Sequence, residues 1–362
     1  MPRAAIVLPP REGFAPGRAG AIGLILGALA SADCAFEQVV VGPPQPETFP
    51  AAHYQAIAWP WWPGPLASRY ASAVTAALRR LRPTIVEVHN RPELALHLAR
   101  RLDVPVVLVL HNRLDGRQAA LRAELFRRVR VATVSDWLRR ETIGNVPGAV
   151  AAVLPNPIDL GSIPPPRPRA ARILFAGRIV ADKGADAFVA ACALALPQLP
   201  GWTATMIGAD RFGPNSPLTP YLSHLRTRAE AAGIGMAGYR PHAAVLAAMA
   251  EAAIVAVPSR WPEPFGMVAL EAMACGAALA YAPRGGLPEV AGAAGVTIDP
   301  DDPAAMAETF LALARDPARR QALARAGRAQ AERFALPAAI ARLDALRTDV
   351  LAAWPAGHRH PI

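Results

Sequence analysis

Residues 257–276 read VPSRWPEPFGMVALEAMACG, and this segment is the most informative one about the fold. Its opening ends a short apolar run, which predicts a strand that stops at Pro258. An irregular loop carrying Glu263 follows, and the apolar segment from Gly266 predicts a helix that Gly276 ends. A strand, a loop and a helix in this order are typical of a βα unit in a parallel sheet.

Two acidic side chains, Glu263 and Glu271, carry the chemistry of this stretch. Glu271 lies about one turn inside an apolar helix, where a carboxylate is costly unless it is paired or hydrogen-bonded. A ribose diol would supply those hydrogen bonds, and so would a structural arginine. The backbone N–H groups of Phe265 and Gly266 fall at the helix N-terminus, where they can bind an anion or a sugar hydroxyl.

A second stretch, ILFAGRIVADKG at residues 173–184, predicts a buried strand, a glycine turn and the start of a helix. Gly177 allows close backbone approach, and Arg178 and Lys183 place two cations that suit a pyrophosphate at the strand end. Lys183 is the only lysine among the 38 basic residues, and lysine differs from arginine in being a compact point charge. The alternative is a helix start with two solvated charges.

Short β-branched runs alternate with alanine- and leucine-rich segments along the whole chain, which predicts an α/β fold with two doubly wound parallel sheets. The break between them falls at 156–172, where a proline cluster interrupts the periodicity. The predicted strands are 5–8, 38–41, 84–89, 105–111, 129–135 and 151–154 in the first half, and 173–176, 203–207, 254–258, 277–281 and 296–298 in the second.

Together, the two quoted stretches resemble the C-terminal domain of the GT-B-fold glycosyltransferases of family 4, the group 1 glycosyltransferases. That family has a Glu-x7-Glu pair preceded by a Gly-Arg…Lys-Gly loop, and here the pair is Glu263 and Glu271, with Pro-Phe-Gly after the first acid. The run VLPNPID at 153–159 resembles the family's interdomain junction, with proline where glycine is usual. The resemblance covers residues 150–330 closely and the N-terminal half in outline.

The resemblance implies a GT-B architecture of two Rossmann-like domains that face a central cleft. We expect an N-terminal acceptor-side domain at 1–160 and a C-terminal nucleotide-sugar donor-binding domain at 171–336. A helix in 337–362 is expected to cross back to the N-terminal domain.

The resemblance also implies a role for each matching residue. Arg178 and Lys183 would neutralise the donor diphosphate, Glu271 would bind the ribose hydroxyls, and Glu263 would bind the donor sugar. Main-chain atoms near Tyr239 would line the base. The implied catalytic set is His111, Glu263, Lys183 and Arg178, and the implied donor-binding set is Gly17, Gly20, Gly177, Arg178, Lys183, Tyr239, Glu263, Phe265, Gly266 and Glu271.

In the N-terminal half, a glycine loop with Gly17 and Gly20 follows the first strand, where family members bring backbone N–H groups toward the diphosphate. The preceding residues 11–16 depart from the simplest family pattern. His111 ends a predicted strand, and the resemblance makes it an active-site residue near the transferred sugar. The alternative is a capping histidine, and His89, at the end of a neighbouring strand, is the second candidate.

Arginine gives the N-terminal half its charge. The chain has a net charge of +10, and fifteen arginines stand against six acidic residues between Arg69 and Arg140. With Trp59, Trp61 and Trp62 just before this segment, the pattern suits a membrane interface and a lipid-linked or envelope glycan acceptor. The alternatives are that these segments pack on the domain and that the arginines solvate helix faces. No nucleic-acid-binding motif accompanies the charge.

The implied function is a retaining glycosyltransferase that moves a sugar from a UDP- or GDP-sugar to an acceptor and forms an α-glycosidic bond. The diphosphate would leave as the acceptor attacks the same face, helped by fixed cations, so neither a metal nor a cofactor is expected. The absence of an Asp-x-Asp motif agrees with this. Two alternatives stay open, a nucleotide-sugar epimerase of the same fold and a catalytically silent nucleotide-sugar-binding protein.

Other classes fit the sequence poorly. No Gly-x-Gly-x-x-Gly follows a strand with a suitably placed acid, which disfavours a dinucleotide oxidoreductase. Three widely spaced cysteines predict neither a zinc site nor a redox pair. No signal peptide or stretch of about 20 apolar residues is present, so we expect a cytoplasmic protein, with the inner face of the cell membrane as its place of contact.

Overall fold

The computed structural model describes residues 1–211 and 216–354. The chain divides into two compact units, unit 1 with Met1–Pro157 and Leu336–Ile362, and unit 2 with Ile158–Ala335. In each unit the strands form one parallel sheet with helical connections, which confirms the prediction of two doubly wound α/β sheets. Residues 355–362 of the predicted C-terminal segment lie outside the described residues.

The described part of unit 1 holds a seven-stranded sheet in the order β3-β2-β1-β4-β5-β6-β7. Its strands are β1 (Arg3–Val7), β2 (Glu37–Gly42), β3 (Tyr54–Ala56), β4 (Ile85–His89), β5 (Val106–Leu110), β6 (Arg130–Thr133) and β7 (Ala151–Val153). Its helices before the crossover to unit 2 are α1 (Ala21–Ala30), α2 (Leu66–Leu81), α3 (Pro92–Ala99), α4 (Gly116–Ala119), α5 (Arg122–Arg128) and α6 (Asp136–Ile143). The strands before β4 are added on one side of β1 and those after it on the other, so the strand order reverses between β1 and β4. Ligands of open parallel sheets gather at such a switch point.

The described part of unit 2 holds a six-stranded parallel sheet in the order β10-β9-β8-β11-β12-β13. Its strands are β8 (Ala170–Ala176), β9 (Thr203–Ile207), β10 (Gly235–Met236), β11 (Ala252–Val257), β12 (Ala278–Tyr281) and β13 (Gly295–Thr297). Its helices are α7 (Ala185–Ala195), α8 (Pro220–Ala231), α9 (His242–Glu251), α10 (Met267–Ala274), α11 (Leu287–Ala291), α12 (Pro303–Arg315) and α13 (Pro317–Glu332). The switch point lies between β8 and β11, so the loops after these strands are neighbours at the carboxyl edge.

The core of unit 2 lies between its sheet and helices α7 and α12. Phe188 on α7 packs against Phe175 on β8, with ring centroids 5.6 Å apart, and against Phe310 on α12, at 6.3 Å. All three rings are buried. Their alignment fixes β8, and with it the start of the loop that carries Lys183.

A last helix, α14 (Leu336–Ala353), follows unit 2 in the chain and belongs to unit 1. Its buried face includes Ile340, Leu343 and Leu346, and it also buries Arg347 completely. Arg347 reaches Glu87 on β4, which ties this helix to the middle of the unit 1 sheet. Within the described residues, no helix combines the length and apolar character that crossing a membrane requires.

Two strands were not predicted, β3 and β10. Each lies at an edge of its sheet, and they span three and two residues. A strand this short shows no alternation of apolar and polar residues that a sequence pattern could detect. The sheet neighbour therefore decides that these segments are extended.

Candidate functional site

In unit 2, the loops that follow β8 and β11 are joined through one carbonyl group. The carbonyl oxygen of Asp182 accepts hydrogen bonds from the backbone N–H groups of Arg260, at 2.8 Å, and Trp261, at 2.9 Å. The hydroxyl of Ser259 donates to the same oxygen at 3.2 Å. The Arg260 side chain also pairs with Asp186 on α7, at 2.7 Å. These bonds hold the two motif loops side by side.

This connection brings together two of the predicted site residues, Lys183 and Glu263. The Lys183 ammonium forms an ion pair with Oε1 of Glu263, and the Ser259 hydroxyl donates to the same oxygen at 2.8 Å. The side chain of Glu263 is 13% exposed and that of Lys183 is 24% exposed. Both bonds use Oε1, so neither occupies Oε2. The pair therefore offers a fixed carboxylate oxygen and a cation in one place.

A glycine pair fixes the backbone beneath Glu263. The N–H of Gly286 donates to the Glu263 carbonyl oxygen at 2.6 Å. Gly285 has a φ of +68°, and a Cβ atom there would lie 2.2 Å from the same carbonyl oxygen. Only glycine fits both the conformation and the space. The segment thus acts as a structural support for the loop that carries Glu263.

The N-terminus of α10 is also fixed by its surroundings. Gly266 precedes the helix with a φ of +106°, and the ring of Phe265 is buried edge-on against Phe334, with centroids 5.6 Å apart. The helix spans Met267–Ala274, which agrees with the helix predicted up to Gly276. The first N–H groups of a helix have no partner within it and are available to a ligand.

Glu271, on α10, is 8% exposed and pairs with a residue that sequence reasoning missed. The Nε2 atom of His242, at the start of α9, lies 2.8 Å from Oε1 of Glu271. This hydrogen bond raises the pKa of His242 above its ordinary value, against the opposing effect of burial. The sequence offered one weak signal, since His242 lies three residues after Tyr239, which was expected to line the base.

The remaining predicted donor-binding residues of unit 2 follow strand ends on the same edge. Gly177 and Arg178 directly follow β8, with Gly177 at a φ of +144° and its N–H donating to the carbonyl oxygen of Ile207 at 3.0 Å. Tyr239 lies between β10 and α9 and is half-buried, as is Arg178. All the predicted residues of unit 2 therefore lie in segments after the carboxyl ends of β8, β10 and β11.

In unit 1, His111 pairs with the second candidate, His89. Nε2 of His111 lies 3.0 Å from Nδ1 of His89, so one ring donates to the other. Both side chains are buried, and burial lowers the pKa of each well below its ordinary value. Both imidazoles are therefore neutral at physiological pH. The Asn90 side chain supports the segment by accepting from the backbone N–H of His111 at 3.3 Å.

A cavity of about 30 Å³ in unit 1 adjoins the histidine pair, and Glu87 and Asn156 also line it. Nε2 of His89 is buried and has no hydrogen-bond partner among the described residues. A buried imidazole nitrogen without a partner is costly, and a polar cavity of this size has room for a water molecule. The arrangement suits a buried water or a ligand hydroxyl at this nitrogen.

The predicted glycine loop of unit 1 carries an acidic side chain at the start of α1. Gly17 has a φ of +74°, and Gly20 is the N-cap of the helix. Oε1 of Glu12 accepts a hydrogen bond from the N–H of Gly23 at 3.0 Å. A carboxylate of the chain thus occupies the position where the resemblance implies backbone N–H groups for a phosphate. Residues 11–16 are also where the sequence departs from the family pattern.

The aromatic and basic segment of unit 1 divides into packed and exposed parts. Trp59 packs against Tyr70, with ring centroids 5.9 Å apart, and under the guanidinium of Arg69, at 5.7 Å. Trp61, in contrast, is 93% exposed, and Leu66 at the start of α2 is 39% exposed. Within the arginine-rich stretch, the part from Arg113 to Arg130 has apolar residues that pack into the unit, such as the buried Leu125 and Val129.

Comparison with known proteins identifies the class that this fold and these motifs define. The family model for glycosyl transferases group 1 matches residues 164–330, and the model for Glycosyltransferase Family 4 matches residues 26–162. A D-inositol 3-phosphate glycosyltransferase of Xylanimonas cellulosilytica is 32% identical over 288 residues, 68% of this chain and 67% of that protein. The chain therefore belongs to the group 1 glycosyltransferases of family 4.

Two further proteins are similar to this chain. The glycogen synthase of Mycobacterium tuberculosis is 31% identical over 280 residues, which are 69% of this chain and 64% of that enzyme. The crystal structure of Anabaena HepE in complex with UDP matches 96% of this chain and all of that chain, with a TM-score of 0.79 and 18% identity. This structural likeness establishes the GT-B fold.

Proposed function

We propose that this chain is a retaining glycosyltransferase that moves a sugar from a nucleotide-sugar donor to a lipid-linked or saccharide acceptor and forms an α-glycosidic bond. The observation that carries the proposal is the paired-acid site of unit 2. Glu263 is held by Lys183 and Ser259, and Glu271 is held by His242. A loop and helix with a purely structural role would have no need of two fixed and largely buried carboxylates eight positions apart, Glu263 in the loop and Glu271 on α10.

The donor in this proposal is a UDP-sugar or a GDP-sugar, and one structural neighbour points to UDP first. HepE has been crystallised with UDP and with UDP-glucose. In this chain, Glu271 would accept hydrogen bonds from the ribose hydroxyls, and Oε2 of Glu263 would accept from a sugar hydroxyl. Lys183 and Arg178 would neutralise the diphosphate, to which the N–H groups at the start of α10 add further positive potential.

In the proposed reaction, the bond between the sugar C1 and the diphosphate oxygen breaks while the acceptor oxygen bonds to C1 from the same face. The acceptor's proton passes to the leaving diphosphate, which accumulates negative charge. Fixed cations and helix N–H groups stabilise that charge without reorganising, and neither a metal nor a cofactor is required. His111, neutral and held by His89, would contact the transferred sugar as a hydrogen-bonding group.

The acceptor class rests on the relatives and on the surface of unit 1. The curated relatives carry the names glycogen synthase and D-inositol 3-phosphate glycosyltransferase, so both saccharide and phosphorylated acceptors occur among them. We propose that the enzyme works in the cytoplasm at the inner face of the membrane, where Trp61 and nearby arginines contact anionic lipid. The exposure of Trp61 supports this contact.

The central experiment incubates the protein with UDP-, GDP- and ADP-sugars, with and without membrane extract, and measures the released nucleotide and glycosylated product. Release that needs the extract supports a transferase. Release without acceptor supports the epimerase alternative, and saturable binding without turnover supports a silent binding protein. Binding of none of these donors would overturn the proposal.

The site assignment has its own test with a matched control. Lys183→Ala and Glu271→Ala should each lower kcat/KM by about 10²-fold or more, because each removes a charged contact to the donor. Arg226→Ala removes an exposed charge from α8 and should leave turnover unchanged. Full turnover in the Lys183→Ala/Glu271→Ala double variant would show the assignment to be wrong.

The membrane contact is tested by sedimentation with vesicles of anionic phospholipid and, separately, of phosphatidylcholine. Trp61→Ser should lower the bound fraction on anionic vesicles. Leu194→Ser changes an exposed apolar residue of unit 2 and serves as the control. Equal sedimentation of the wild type with both kinds of vesicle would contradict an anionic membrane contact.

A further inference from the structure

A hydrogen bond between His242 and Glu271 joins the start of α9 to the middle of α10. The two residues are 29 positions apart in sequence, and their Nε2 and Oε1 atoms lie 2.8 Å apart. The Glu271 side chain is 11% exposed, whereas that of His242 is 39% exposed. The bond therefore links a buried carboxylate to a ring that solvent and ligands can reach.

The bond fixes the direction of the carboxylate. Glu271 lies on a helix whose neighbouring side chains Ala269, Leu270, Ala272 and Met273 are apolar and buried. Such surroundings offer a carboxylate few hydrogen-bond donors, so its orientation depends on the donor that does reach it. Because His242 binds Oε1, the hydrogen bond leaves Oε2 for another donor.

The groups around this pair do not replace His242. Cys275 lies one turn further along, and its thiol contacts the Leu246 carbonyl oxygen at 3.5 Å. Burial, together with the charge of Glu271, raises the pKa of that thiol, so it is a neutral neighbour. The Arg169 guanidinium donates to the Cys275 carbonyl oxygen at 2.6 Å rather than to Glu271. His242 thus supplies the side-chain hydrogen bond that orients this carboxylate.

We propose that His242 is a positioning residue that orients Glu271 toward the ribose hydroxyls of the nucleotide donor and so sets the preference for ribose over 2′-deoxyribose. The inference rests on the proposed function, in which Glu271 binds the ribose. A carboxylate held at Oε1 presents Oε2 in one direction, and a ribose hydroxyl that donates to it forms a charge-assisted hydrogen bond. Without the imidazole, the carboxylate rotates and the preference for the hydroxyl falls.

The test compares two amides that differ in reach. Gln places its amide nitrogen where the Nε2 atom of histidine lies, whereas Asn reaches only as far as Nδ1. His242→Gln should therefore keep the bond to Glu271, and His242→Asn should lose it. Both remove the titrating ring and begin α9 with a similar polar group, so they form a matched pair.

The measurement is the ratio of the dissociation constants of a nucleoside diphosphate and its 2′-deoxy form, by calorimetry with UDP, GDP and ADP. In the wild type and in His242→Gln, the ribose form should bind about 10-fold or more tightly, the value of one hydrogen bond to a charged group. In His242→Asn, the ratio should fall to about 3-fold or less. In a Glu271→Ala background, His242→Asn should change nothing further.

The outcomes separate the two proposals. If the wild type binds none of the three nucleotides, the proposed function fails, and this inference fails with it. If the wild type binds one of them and His242→Asn keeps the full ratio, the inference is wrong while the proposed function stands. A fall in the ratio for both amide variants would show that the ring itself, and not its orientation of Glu271, makes the contact. Thermal melting of each variant confirms that it is folded.

Discussion

Arg347 on α14 and Glu87 on β4 form a buried ion pair across 260 positions of sequence. The guanidinium binds the carboxylate through two hydrogen bonds, of 2.5 and 3.2 Å, and a third bond of 2.9 Å goes to Oε1 of Gln38 on β2. The Arg347 side chain is fully buried and that of Glu87 is 2% exposed. The pair ties α14 to the central strands of unit 1.

Removal of one partner of this pair should strongly destabilise unit 1. Glu87→Gln leaves the buried Arg347 charge with only the more distant and more exposed Asp344, at 3.4 Å, as an ionic partner, and should lower the free energy of unfolding by about 3 kcal/mol, measured by urea denaturation. The double variant Glu87→Leu/Arg347→Met should recover most of that loss, because it buries no charge.

The control for this prediction is the exposed pair of Arg3 and Glu37, whose side chains are 36% and 38% exposed. Glu37→Gln should change the free energy of unfolding by about 1 kcal/mol or less. An equal effect of Glu87→Gln and Glu37→Gln would show that burial does not increase the contribution of the Arg347 pair to stability.

The histidine pair of unit 1 should make stability fall in acid. The pKa values of His89 and His111 are lowered in the folded chain from the ordinary 6.5, mainly by burial. Below that value the unfolded chain binds protons that the folded chain does not, so protonation favours unfolding. The free energy of unfolding should be highest above pH 6.5 and decrease as the pH falls below it.

Denaturation series across this range check the prediction, and the variant His89→Leu/His111→Leu should flatten the slope. His242 acts in the opposite sense, because its pKa is raised in the folded chain. The stabilisation by His242 is complete below pH 6.5 and is lost as the pH rises through the pKa of this residue in the folded chain. A slope that stays the same in the double leucine variant would assign the acid loss to other groups.

Gly285→Ala should damage the site more than the fold. The added Cβ atom would lie 2.2 Å from the carbonyl oxygen of Glu263, so the loop that carries this acid must move. We expect kcat/KM for the donor to fall about 10-fold or more, in line with the loss expected when a catalytic group is displaced by about 1 Å. Steady-state kinetics measure it.

Gly233→Ala provides a matched control. Gly233 has a φ of +67°, close to that of Gly285, but its added Cβ atom would meet nothing within 4 Å. The cost of the left-handed backbone conformation, about 1 to 2 kcal/mol, is therefore shared by both variants. Equal losses of kcat/KM in the two variants would attribute the effect to backbone strain instead of to Glu263.

Lys183 should be a selective reporter of donor binding. It is the only lysine of the chain, so an amine-specific reagent modifies this side chain and the N-terminal amine alone. Saturation with UDP, at about ten times its Kd, should slow modification of Lys183 about tenfold, because the bound diphosphate covers the ammonium. Mass spectrometry of the two sites measures the rates, with the N-terminal amine as the internal control. Equal rates with and without bound UDP would place Lys183 outside the diphosphate site.

Much of the fold could be predicted because its signals are local. Buried parallel strands such as β5 and β11 are short continuous apolar runs, and a glycine such as Gly276, with a φ of +73°, ends the helix that precedes it. The edge strands β3 and β10 escaped because two or three residues carry no pattern. Their extended form comes from hydrogen bonds to β2 and β9.

The candidate site was predictable where one stretch of chain holds it. Glu263, Gly266 and Glu271 have a fixed spacing along a loop and a helix, so the sequence alone relates them. Ser259 and His242 were missed, because a serine before an arginine and a histidine after a proline are common in loops. Their importance comes from the atoms that they meet.

The two parallel sheets, the paired acids of unit 2 and the loop with the single lysine can be read from the sequence, because apolar periodicity and residue spacing act over a few positions. The partner of each charged or polar group depends on the tertiary structure. Among the arginines that the structure describes, it selected Arg347 as the buried one, and it selected His242 as the partner of Glu271. A hydrogen bond requires two atoms within about 3 Å, and a separation of 29 or 260 residues reveals nothing of that distance until the sheets bring them together.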